Sequence, residues 1–180
     1  MSDIDPSRSS HHWLTLATGD LAAATALVAE TTVPPRVAAG LAAQAAEKAL
    51  KAAIANSGTD PPRSHDLVGL AHRIRGVVGL TVSEDDLRRL TDAHLLARYP
   101  EPDEASYDIA EATDLVRVAS AVVREVIAAI QPQGLAQLIA QGRVTPALDP
   151  VTEVLPTPIP ASTETDATAS LLAEQDDDPR

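Results

Sequence analysis

Apolar residues recur at steps of three and four along the first 130 positions, and the runs break at prolines and glycines. This is the period of amphipathic helices. The first run, Trp13, Leu14, Ala17, Leu21, Ala24 and Val28, predicts a helix capped by Ser9 or Ser10 and reaching about Glu30. Thr31 to Pro35 interrupts it, and Pro35 can open the next helix at its first position, where a missing N–H costs nothing. That second helix, from about Pro35 to Ser57, carries two apolar stripes. One is Val37, Leu41, Ala45, Ala49 and Ala52; the other is Ala39, Ala43, Ala46, Leu50 and Ile54. A helix with two apolar stripes is contacted on two sides, which places it at the centre of a bundle. Gln44, Glu47, Lys48 and Lys51 are its polar interruptions. Glu47 and Lys51 stand in the favourable i, i+4 order. Lys48 falls between the stripes, so a partly buried stem with an outward ammonium is expected.

Asn56-Ser57-Gly58 then reads as a helix stop, and Pro61-Pro62 holds the connector extended. A third helix is expected from about Ser64 to Val78, capped by Ser64 or Asp66, with Leu67, Leu70, Ala71, Ile74 and Val78 inward. Gly76 and Gly79 weaken its end. Ser83 followed by Glu84, Asp85 and Asp86 opens a fourth helix with acids at the positive end of its dipole. It ends near Ala97, because Pro100 forces Tyr99 out of helical geometry. A fifth helix runs from Glu104 or Tyr107 to Ile130 on the stripe Ile109, Ala112, Val116, Ala119, Val123, Val126 and Ile130. The expected fold is all-α, an up-and-down bundle of about five helices over residues 10–131. A short helical extension over 132–142 and a disordered acidic, Pro-rich tail over 143–180 should follow.

Composition narrows the partners. With no Cys, neither a disulfide nor a thiolate metal site is available. With no Phe and a single Trp, the core must be built from Ala, Leu, Val and Ile. Self-association through an Ala-rich helix face, where small residues permit close contact, is expected to add stability. The net charge is −12, half of it in the last 50 residues. That balance disfavours duplex DNA, whose binding relies on basic surface. No apolar run approaches the ~20 residues of a membrane span, and the N-terminus lacks an apolar signal core. A cytoplasmic location is expected. No Gly-rich phosphate loop, HExxH or Ser–His–Asp pattern occurs, and His11-His12 is too short and exposed for a specific metal site. No cofactor and no metal are therefore expected.

The stretch QAAEKALKA, a short Gly/Pro turn and then SHDLVGL resembles the core of the HEPN family (higher eukaryotes and prokaryotes nucleotide-binding domain). Arg98-Tyr99-Pro100 resembles the element that many prokaryotic members carry before their last long helix. The resemblance covers roughly Trp13 to Ile130. It implies a small helical domain, often dimeric, that acts with a minimal nucleotidyltransferase. Some relatives are ribonuclease toxins of toxin–antitoxin pairs.

Ribonuclease members carry Arg, four to six residues, then His, with the catalytic groups assembled across a dimer. Arg89 and His94 match that spacing, and Arg88 is also within range. In that role the Arg would neutralise a phosphate and the His would transfer a proton. Residues five apart on a helix lie about 140° apart, so Arg89 and His94 do not share a face. The family motif carries over directly onto His65 and Asp66, next to Arg63. Asp66 can cap the third helix and His65 can bond a neighbouring backbone or carboxylate; alternatively the three form a polar patch for a nucleotide or partner. Lys48, paired with Glu47 or not, and Arg98 with Tyr99 are further candidates, the last two for phosphate contact and base stacking. Three readings remain. The first is a binding or regulatory module, partner of a nucleotidyltransferase and binder of nucleotide or RNA. The second is a metal-independent ribonuclease using Arg89 and His94. The third is a helical adaptor with the acidic tail as a docking segment.

Overall fold

Proline at position 35 begins the helix around which the others pack. The fold, a computed structural model, describes residues 9–30, 32–98 and 107–131. Five helices follow one another: α1 (Ser10–Val28), α2 (Pro35–Asn56), α3 (Leu67–Ile74), α4 (Glu84–Arg98) and α5 (Ile109–Ile130). No strand occurs among the described residues. The expected extension over 132–142 and tail over 143–180 lie outside them.

α2 touches all four other helices. The second predicted stripe is buried throughout and the first from Ala45 onward, with Val37 and Leu41 half-buried, and most positions between them from Ala38 to Ile54 are buried too. The ten alanines of α2 would be a poor core in a thicker bundle. Here their small side chains let neighbouring backbones come close, and Leu50, Leu67, Leu70, Ile74, Leu90, Leu115 and Ile127 supply the larger buried volume. Each such side chain contributes about 1.5–3 kcal/mol over its exposed state. Gly40 marks the tightest approach, since a Cβ built there would stand 2.4 Å from the Cβ of Ala97 on α4. The Ala-rich faces of α2 are covered by the chain's own helices.

Caps account for the helix boundaries. Ser9 Oγ accepts from His12 N–H at the start of α1. Gly58 takes φ +78° just past α2, the left-handed conformation that a stop signal needs. Ser83 Oγ accepts from Asp86 N–H while the Asp86 carboxylate accepts from the Ser83 hydroxyl and N–H, so α4 is capped reciprocally. Asp108 and Glu111 form a full capping box on α5.

α3 is shorter than the pattern implies. It begins at Leu67 because Asp66 is its extended N-cap residue, and it ends at Ile74, ahead of Gly76. Asp66 does not cap with its side chain. Leu67 N–H donates instead to Thr91 Oγ1 of α4 at 3.2 Å. That bond fastens the α2–α3 connector to α4 and decides where His65 sits.

Candidate functional site

Glu47 and Lys51 continue the buried row of α2 that begins with Ala39 and Ala43, four residues at a time. A carboxylate and an ammonium therefore sit inside the bundle, each only 6 % exposed. Lys51 Nζ donates to Glu47 Oε1 at 2.7 Å and lies 5.5 Å from the centroid of the Trp13 ring on α1, a cation–π contact. Trp13 Nε1 is buried without a hydrogen-bond partner.

The other carboxylate oxygen, Glu47 Oε2, accepts from His65 Nδ1 at 2.8 Å. His65 in turn stacks on His94 of α4, with ring centroids 4.6 Å apart and planes inclined by 19°. His94 is 4 % exposed. Three elements, α2, the connector and α4, thus bring one carboxylate and two imidazoles together, with one ligand-capable atom of each within 4.8 Å of the others.

The protonation states follow from the surroundings. Burial pushes the Glu47 carboxyl up, but the hydrogen bonds from Lys51 and His65 outweigh it and hold Glu47 below its ordinary value. Glu47 is an anion. Burial lowers His94, and the approach of His65, Arg98 and Lys51 adds to this against the attraction of Glu47. His94 is held as neutral imidazole near neutral pH.

Arg88, Arg89 and Lys48 are paired away from this cluster. Arg89 donates to Asp114 Oδ2 of α5 at 2.8 Å and to Asp86 Oδ1 at 3.2 Å, and Asp114 also receives Arg117. The hydrogen bond to Asp114 raises the Arg89 guanidinium further above its ordinary range. Arg88 pairs with Glu84 and Asp85. Arg89 therefore faces α5, while His94 faces α2 and the connector. Lys48 is half-buried and pairs with Asp20 on α1. Arg63 and Asp66 are exposed in the connector. Arg98, also exposed, lies one turn beyond His94 on α4. Tyr99 lies outside the described residues.

Sequence reasoning singled out His65 and His94 for different reasons and did not bring them together. It noted the i, i+4 order of Glu47 and Lys51 without placing the pair inside the bundle. The signal was present: a polar pair interrupting a row whose earlier members, Ala39 and Ala43, are fully buried.

A helical domain of this order, with the Glu47–Lys51 pair on its central helix and the His65-Asp66 turn before α3, is the architecture expected from the resemblance. The family model of the HEPN domain matches residues 10–130. The chain belongs to the HEPN domain family, a family of nucleotide- and RNA-related modules. The match is to the family as a whole and does not single out the prokaryotic type with the Arg98-Tyr99-Pro100 element. No curated protein and no solved structure gives a significant match. No helix among the described residues is long and apolar enough to cross a membrane.

Proposed function

We propose that this domain is a non-catalytic binding and regulatory module of the cytoplasm. In this reading it self-associates, acts beside a minimal nucleotidyltransferase, and takes up a nucleotide or RNA. The observation that carries the reading is the separation of Arg89 from His94. A ribonuclease of the resembled type needs a free Arg and an accessible His. Arg89 is held by two carboxylates at the α4–α5 seam, and His94 is buried beneath the ring of His65. An anionic ligand finds better partners beside the cluster, where His65 is exposed and the exposed Arg98 follows His94 by one turn of α4. Because α2's alanines are occupied within the chain, a second copy would meet the outer surfaces of the other helices.

Incubating the pure protein with RNA tests the reading. Intact RNA, together with nucleotide-dependent change in the fluorescence of the lone Trp13, is the expected result. RNA cutting that is lost in His94→Ala would replace it with the ribonuclease reading. Co-purification with a nucleotidyltransferase expressed alongside tests the partnership.

A further inference from the structure

We propose that Glu47, His65 and His94 form a binding site for a borderline divalent transition metal, with Zn²⁺ the first candidate. The inference stands apart from the nucleotide reading. It rests on the geometry of the cluster and on its donor set.

The donor set comes first. One carboxylate oxygen and two imidazole nitrogens suit Zn²⁺ and its neighbours, and not Mg²⁺ or Ca²⁺, which favour all-oxygen shells. Three protein ligands leave a fourth position open to water or to an anionic ligand. The three donor atoms already lie within 4.8 Å of one another. A tetrahedral site with bonds of about 2.0–2.1 Å places its donors about 3.4 Å apart, so closing the site needs a contraction of about 1.5 Å at most.

His94 is the enclosed donor. The residue is 4 % exposed, and its ring is turned toward Glu47 and His65. Two imidazoles beside a carboxylate, one of them withdrawn from solvent, are a donor set that imidazole-binding metals use.

The remaining parts fit this use. Lys51 holds Glu47 Oε1, which limits Glu47 to monodentate ligation through Oε2 and fixes the carboxylate plane. The two rings are stacked, so their lone pairs do not yet meet at one point. His65 can make that adjustment, because its side chain is 52 % exposed and lies in the connector outside any helix. Glu47 and His94 are set by α2 and α4 and need not move far. When His65 Nδ1 ligates, the Glu47–His65 hydrogen bond gives way to two metal bonds and the ring proton moves to Nε2; when Nε2 ligates, Nδ1 keeps its proton.

The test uses the full chain, stripped with EDTA and dialysed, in competition with a chromophoric chelator for Zn²⁺. One Zn²⁺ per chain is expected, unaffected by excess Mg²⁺. His65→Ala, an exposed change whose folding circular dichroism can verify, should weaken binding by about tenfold or more. Replacing both His11 and His12 by Ala should leave binding as it is. In the unaltered protein, Zn²⁺ should shift the ring resonances of His65 and His94 and leave that of His72 in place. Absence of stoichiometric binding, equal binding by His65→Ala, loss of binding in the His11/His12 variant, or ring shifts at other histidines would each overturn the proposal.

Discussion

Glu47 and His65, 18 residues apart in sequence, meet as carboxylate and imidazole at 2.8 Å, with the second carboxylate oxygen held by Lys51. An ionised carboxylate only accepts, so His65 Nδ1 carries the proton in this contact. The relationship couples the connector to the central helix.

Removing Glu47 leaves the Lys51 ammonium, with a side chain only 7 % exposed, unpaired inside the bundle. Breaking such a buried pair from one side costs about 3–5 kcal/mol. Glu47→Ala should lower the urea unfolding midpoint accordingly. Glu47→Gln keeps an oxygen for Lys51 and should lose clearly less.

Stability should fall as the solution is acidified, in two stages. His94 is depressed below its ordinary 6.5, so between the two values the unfolded chain binds more protons and stability rises with pH. Its contribution is complete above about pH 6.5 and declines as pH falls toward the lower folded value. Glu47 is depressed below its ordinary 4.5, so its contribution is complete above that pH and is lost on further acidification. Thermal melts from pH 7.5 to 4 should show both stages, and His94→Gln should remove the first.

Two glycines should respond to the same substitution with opposite signs. Gly19, within α1, has open space where a Cβ would go. Gly19→Ala should stabilise by about 0.5–1 kcal/mol, the usual gain of replacing glycine inside a helix. Gly40→Ala sets its methyl against Ala97 at 2.4 Å. Both are helical residues, so neither side relaxes by rotating a side chain, and a loss of about 1–3 kcal/mol is expected. Differential scanning calorimetry on the two variants gives both signs.

The Arg89–Asp114 bridge joins α4 to α5 at the surface, with side chains 46 % and 35 % exposed. Solvent screens such a pair, and Arg89→Ala should cost no more than about 1 kcal/mol, less at high salt. RNA and nucleotide affinities should not change. A loss of function far beyond that loss of stability would return Arg89 to a catalytic role.

The bundle was readable from the spacing of apolar residues, because helix period and burial are the same signal here. α2 was recognisable as central from its two stripes, and the ends of α2, α4 and α5 from Gly58, Ser83 and Ile130. α3 was read too long at its start, where Leu67 N–H finds Thr91, a tertiary partner that no local pattern contains, and at its end, where it stops at Ile74 ahead of Gly76. The site was partly hidden for the same kind of reason. Lys48 was expected partly buried and is so, against Asp20, but the pattern did not show that Lys51 is the lysine enclosed. Nothing within α2 says that Trp13, His65 and His94 converge on the row through Glu47. Only the run Ala39, Ala43, Glu47, Lys51 hinted that two charges continue a fully buried line.

The run of alanines along α2 has a consequence for how this domain tolerates change. In most cores the damage comes from truncation, because large side chains leave holes when they shrink. Here the buried alanines of the central rod have almost nothing to remove and no room to add. Saturation mutagenesis should therefore show an asymmetric profile along α2, in which growth by one or two carbons is punished harder than conversion to glycine. Evolutionary drift in such a helix is confined to swaps among the smallest residues.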